Sequence, residues 1–574
     1  MAEYLSPGVY VEEYDNSPRG MEGVGTSTAG FVGLAERGDT VGAPVLITNN
    51  SEFTRKFGGY LSEFAFGEYR YLAGAVEQFF QNGGTRCYVA RVLPSDAKAA
   101  SYENEALTVR AANEGSWGNR IELHFAESIK KKMQLLEKKG DRVYLAKSAA
   151  GFEEGSLVKA GEEYNRIAQI FGNEISFEKE FLEDVTDQSL VPEKLVYLSE
   201  LGIQARYYDE TEEFVELSLH ATSGNYIELR MKDSGLVRLQ YHPQAGNQGE
   251  GEETSLSAAI QNPVAALLGE GNDSIILEGG ADGTKENITA ATFIGEDRGP
   301  GRRTGIQAFL ENHIVSIMAV PGITMPDVIV SLIAHCENTQ SRFAVLDMPR
   351  DISDTKKLIQ YRELVDSTYA AMYHPWIQGF DRSNKKPGYF PPSGAVMGVY
   401  SRTDIQRGVH KAPANETVSC TGLNINFTKG EQDILNPEGI NLIRALPGQG
   451  IRIWGARTAS SNASFKYVNI RRLFIYVEES IKSNTGWVVF EPNDAGLWNR
   501  VRLSVEGFLN TMFRDGMFAG ATPEESYFVD IGPTTMTQDD IRNGRLICNI
   551  GIAPSRPAEF VIFRITQHTS ESGS

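Results

Sequence analysis

Residues able to do chemistry are plentiful in this chain, so their spacing has to decide among them. His335-Cys336 sets a base beside a thiol near the end of the helical stretch 325–338. A Cys/His dyad there would be a nucleophile. The plainer alternative is a core thiol next to a terminal histidine that interacts with the helix dipole. Gly299-Pro300-Gly301 and Gly448-Gln449-Gly450 lack the strand-to-helix setting of a dinucleotide loop and read as turn glycines. The sequence contains no GxxxxGK[ST], GxSxG or HExxH motif and no clustered carboxylate loop. Serine, histidine and aspartate are common, but a triad is defined by geometry rather than abundance. The four cysteines, Cys87, Cys336, Cys420 and Cys548, form no CxxC pair, which suits reduced thiols in a reducing compartment. No catalytic set, no metal site and no cofactor are expected.

Composition bounds the remaining classes. With 574 residues the chain should divide into two to four domains, and 41% hydrophobic content with 57 glycines fits a globular, turn-rich protein. A formal net charge of −20 argues against a nucleic-acid partner or an anionic membrane surface. No apolar run approaches the ~18 residues of a spanning helix, so direct membrane insertion is not expected. The first ten residues carry no basic stretch followed by an apolar core, so no signal peptide is expected.

Two stretches at the ends of the chain demand cover. Read as a strand, residues 556–565 place Phe560 and Ile562 on one face and Val561, Phe563 and Ile565 on the other. Both faces are apolar, and burying each such side chain stabilises by roughly 1.5–3 kcal/mol. Chain ends are normally loose, so this one must dock, into its own domain or into another copy. Val9, Tyr10 and Val11 form a similar short strand near the start.

Between these ends, residues 28–34 and 45–48 read as buried strands, 51–57 as a helical turn capped by Ser51, 69–80 as a helix and 87–92 as a strand. Residues 101–275 look like an insertion of strands, among them 214–219 and 226–231, joined by long polar loops. Residues 274–284 return to a buried strand. Strands at 313–320, 342–347 and 368–374 then alternate with helices at 325–338 and 354–364, the pattern of parallel βαβ crossovers. Residues 379–395 read as a surface loop before a short helix over 396–407. Strands near 442–445 and 451–454 open a last domain, with a helix capped by Asn469, a strand at 487–490, a helix within 493–513, and strands at 527–530 and 545–553. The fold class is therefore mixed α/β and multidomain.

Several collinear segments then resemble one family. They are Phe465 to Ile481, Trp487 to Asp494, Thr534 to Ile541, Gly544 to Pro554 and Arg556 to Phe563, with Ser6 to Glu13 and Phe57 to Gly59 near the start. Together they resemble contractile tail sheath proteins of phage tails and phage-tail-like injection systems. The resemblance covers roughly residues 1–95 and 275–574 and leaves the insertion unmatched. It implies a protomer with an N-terminal arm (1–20), an N-terminal part of the core (21–100), a non-catalytic, subtilisin-like α/β middle domain (276–445), a C-terminal domain (446–555) and a C-terminal arm (556–574). The β-rich insertion (101–275), read from composition, is expected to face outward, where a large polar insertion meets fewest lattice contacts.

The same resemblance implies a partner set: other copies of this chain in stacked hexameric rings, an inner tube protein, and baseplate and cap proteins. Terminal arms would add strands to neighbouring subunits, and contraction would need no nucleotide. Assembly would take place in the bacterial cytoplasm, in a particle then released or membrane-anchored. Lys466, Arg471, Arg472 and Lys482 are the expected tube-facing cations, against the alternative of ordinary surface pairs with Glu478 and Glu479. Two other classes stay open: an α/β hydrolase, and a non-contractile surface-array or baseplate protein.

Overall fold

The computed structural model describes residues 20–186, 190–243, 260–560 and 562. Val9, Tyr10, Val11, Val561, Phe563 and Ile565 lie outside them. The described chain forms a mixed α/β protein whose centre is a nine-stranded sheet.

In chain order that sheet takes β1 (Ala29–Leu34), β2 (Val45–Ile47), β3 (Cys87–Val92), β4 (Ile317–Ala319), β5 (Phe343–Asp347) and β6 (Ala370–His374). The hairpin strands β7 (Ile377–Asp381) and β8 (Lys386–Phe390) lie outside it, and β9 (Glu416–Thr417), β10 (Ile440–Leu446) and β11 (Gly450–Ile453) complete it. The spatial order is β2-β3-β1-β4-β5-β6-β10-β11-β9. All pairs from β3 through β10 are parallel, and the flanking strands are antiparallel. Parallel strands need cover on both faces, and their runs are accordingly apolar throughout, as in β1 and β5.

Helices supply that cover. Short α1 (Asn50–Phe57), α2 (Leu72–Gln81) and a later helix, Ser393–Arg407, pack on one face around Phe79, Val396 and Tyr400. On the other face lie α3 (Pro326–Thr339), α4 (Thr355–Arg362), then, beyond α5 (Ser393–Arg407), α6 (Lys429–Leu435), around Leu332, Leu358 and Leu435. Residues 29–92 and 317–453 thus share one sheet although some two hundred residues separate them.

The insertion holds two separate cores. Three- and four-stranded sheets enclose Trp117, Phe125, Ile203 and Leu239. A seven-stranded sheet within residues 132–198 encloses Tyr144, Ile167, Phe177 and Val196. That second unit enters and leaves side by side, since Met133 pairs with Val196.

Several expectations are corrected. Residues 226–231 form the short helix Ile227–Met231, because Ile227 and Met231 are buried one helical turn apart. Ser274–Ile276 closes the insertion's own sheet, pairing with Glu122–Ser128. Residues 379–395 are not a loop: they make the β7–β8 hairpin and the start of α5, with Pro387 tolerated because β8 is an edge strand. The strands near 442–454 finish the central sheet as β10 and β11 instead of opening a new domain. Asn49, not Ser51, caps α1.

His335 is buried, and Arg342 Nη1 lies 3.1 Å from its Nε2. Burial and then the Arg342 charge depress its pKa to about 3, so it is neutral and offers the helix dipole no cation. Burial pushes the Cys336 thiol up to about 12, the opposite of an activated nucleophile.

Candidate assembly surface

The C-terminal part of the chain is built chiefly on α7 (Val468–Asn484), α8 (Ala495–Arg514), β12 (Tyr527–Ile531) and β13 (Cys548–Ile552). Helix α7 is 17 residues, about 25 Å, long. Its sequence is apolar on more than one side, which marks a helix buried between layers. Val468 and Ile475 join the core of the central sheet, while Leu473 and Val477 join a separate core with α8, β12 and β13. Tyr467 stands at the N-cap, so Asn469 is inside the helix, where its amide donates to the His410 carbonyl at 2.7 Å.

Both ends of the described chain are tied to this helix. At its C-terminal half, the Asn484 side chain accepts from the Glu22 backbone N–H and donates to the Glu22 carbonyl, and Ser480 Oγ accepts from the Val24 N–H. The Tyr476 ring fills the space a Cβ at Gly23 would occupy, 1.9 Å from its hydroxyl, so only glycine lets the strap lie this close. At the N-terminal end, Tyr467 Oη donates to Glu559 Oε2 at 2.8 Å. Arg457 Nε and Nη2 grip both carboxylate oxygens at 2.8 Å, and Asn436 Nδ2 adds 2.7 Å to Oε1. Partial burial alone would raise the Glu559 pKa; the hydrogen bonds from Arg457, Asn436 and Tyr467 and the Arg457 charge hold it at about 2.

Past Glu559 the chain turns outward. Phe560 is 74% and Ile562 78% exposed, and within the described residues neither belongs to a strand. Beside the departure point lies a groove of about 990 Å³ that includes Arg407, Lys429, Arg444, Trp454 and Arg556 in its lining. Strands β12 and β13 pair only with each other among the described residues. One face packs on α8; Phe528 on the other is exposed. Trp487 to Phe490, expected as a strand, is instead a single 3-10 turn, Gly486–Val488, with Val489 and Phe490 exposed.

The four expected tube-facing cations are not brought onto one surface. Arg472 is 4% exposed, paired in bidentate fashion with Asp404 and stacked on Tyr400. It also donates to the Thr26 carbonyl, joining the N-terminal strap to α5 and α7. Arg471 is buried, its guanidinium 3.6 Å from the Phe465 ring centre, and burial lowers its pKa. Lys466 turns toward Glu559 at 4.0 Å. Only Lys482 is fully at the surface, paired with Glu479 at 3.0 Å. The surface-pair alternative therefore fits Lys482 alone. The physical reason is that residues off one apolar stripe face solvent only on a one-sided helix, and α7 serves two cores. The Glu559 anchor had no sequence signal, because its four partners come from positions 436, 457, 466 and 467.

Helix α7 thus ties the described chain near both its ends and lies beside a two-stranded sheet whose edges are open among the described residues. Residues 295–459 match the phage tail sheath protein central domain and 460–568 the phage tail sheath C-terminal domain. The chain belongs to the contractile tail sheath family and is a sheath subunit of a phage tail or tail-like particle. A putative prophage major tail sheath protein of Pseudomonas aeruginosa (strain UCBPP-PA14) is 23% identical over 322 residues, 54% of this chain and 81% of the relative. The fold matches the contracted PVC sheath complex of an extracellular contractile injection system across 100% of both chains, at 19% identity and a TM-score of 0.53. It matches the contracted helical sheath of the anti-feeding prophage over 98% of this chain and 100% of the other, at 20% identity and a TM-score of 0.52.

Proposed function

We propose that copies of this chain polymerise as stacked hexameric rings around an inner tube, each copy's terminal arms completing sheets of its neighbours. Rigid-body rotation of the linked subunits then contracts the array and drives the tube through a target envelope. The observation that carries this reading is that the described chain is tied to α7 near both its ends, at Glu22, Val24 and Glu559, with Phe560 and Ile562 uncovered. Strands β12 and β13 supply a receptor for such arms. A two-stranded sheet is marginal alone and presents free N–H and C=O groups on its edges, and an added strand satisfies them at about 0.5–1.5 kcal/mol per hydrogen bond. The chain acts by contact and not by catalysis, and it needs no cofactor. Baseplate and cap proteins terminate the array, and the insertion faces outward, where lattice contacts are fewest. Assembly takes place in the bacterial cytoplasm.

Removing residues 1–15 in one variant and 563–574 in another tests this. Each should leave a folded protomer that forms no striated tubes by negative-stain microscopy. Normal tubes from both variants overturn the reading.

A further inference from the structure

We propose that Glu559 is the positioning residue of the C-terminal arm: its carboxylate, gripped by Arg457, Tyr467 and Asn436, fixes where and in which direction residues beyond 560 leave the body. This deepens the arm-exchange reading and rests on it. Among the described residues from 556 to 562, Glu559 makes every hydrogen bond of the segment, while Arg556, Ala558, Phe560 and Ile562 are exposed. Each carboxylate oxygen takes two donors, which fills the acceptor capacity of the group. The donors come from three stretches: Asn436 just past α6, Arg457 just past β11, and Tyr467 at the start of α7.

Arg457 is itself locked to the central sheet. Its backbone N–H donates to Asn441 Oδ1 at 2.7 Å, and Asn441 Nδ2 returns a bond to its carbonyl at 2.8 Å. Asn441 is fully buried in β10. The start of the arm is therefore held by the rigid body and not by a loose tether, so Phe560 and Ile562 follow from a fixed point at the opposite end of α7 from Glu22 and Val24. A pre-positioned segment loses less freedom on capture by a neighbour than a free one.

The test uses full-length protein carrying Glu559→Gln, with the 563–574 deletion beside it. A glutamine amide turns a donor toward the donors of the clamp. The assembly threshold is read by sedimentation, arm mobility by anisotropy of a fluorophore at the C-terminus, and folding by the thermal midpoint. The anchor predicts a protomer that still folds, with a midpoint lowered because Arg457 loses its carboxylate, together with lower anisotropy and a threshold raised by roughly tenfold to a hundredfold, the worth of one charge-assisted bond. Wild-type threshold and anisotropy in Glu559→Gln, with the deletion unable to assemble, overturn the anchor alone. Assembly by the deletion variant overturns the arm-exchange reading and the anchor with it.

Discussion

The insertion and the C-terminal unit differ in what they leave open. The insertion pairs its strands internally and closes two cores of its own; its most exposed apolar residues, Phe171 and Leu182, stand singly at opposite ends of the strand Glu163–Phe171. The C-terminal unit stops at two strands and leaves Val489, Phe490, Phe528, Phe560 and Ile562 uncovered. A closed region needs nothing outside itself, whereas an open one is completed by something else. Under the proposed assembly, the two behaviours separate decoration from the surface that neighbours complete.

The sharpest way to break that comparison is to delete residues 563–574, which should abolish tube formation while shifting the protomer's thermal midpoint little. Next in size is Arg472→Met. It strands buried Asp404 and loosens the strap, and should cost about 3–5 kcal/mol in denaturant unfolding. A paired change on each region follows. Phe528→Ser should raise the assembly threshold several-fold at constant stability, while Phe171→Ser should change stability by less than about 0.5 kcal/mol and assembly not at all.

The pH response should be flat. Glu559 has a folded pKa lowered from 4.5 to about 2, so its anchoring contribution is complete above about 4.5 and is lost as pH falls toward 2. Arm anisotropy should therefore be constant from pH 5 to 8 and drop only in strong acid. The smallest effect is expected from replacing residues 132–198 with a short linker between the adjacent positions of Met133 and Val196: tubes should still form. Loss of assembly there would show that the insertion is not closed after all.

Much of the fold was legible in the chain. Strand β3 follows from its apolar, β-branched run between Gly83-Gly84 and Pro94, and α3, α4 and α8 follow from the helical patterning of their segments. The apolar pair Phe560 and Ile562 announced itself by lying near a chain end. What the sequence did not disclose has two physical causes. Hairpin β7–β8 hides behind its prolines and glycines, because composition cannot tell an edge strand from a loop. The two cores of the insertion are invisible because long-range strand pairing, Met133 with Val196 among it, leaves no mark in either segment.

The sequence by itself determined which segments are apolar on both faces, that neither a nucleotide loop motif nor a CxxC pair is present, and that parallel strands alternate with helices, since these depend only on neighbours along the chain. Tertiary structure alone decided that Arg471 and Arg472 are interior, that α7 serves two cores, and that Glu559 is the arm's tie. Charge on a helix reports its own solvation only when one side of that helix faces water, and α7 is covered from both sides by residues far away in sequence.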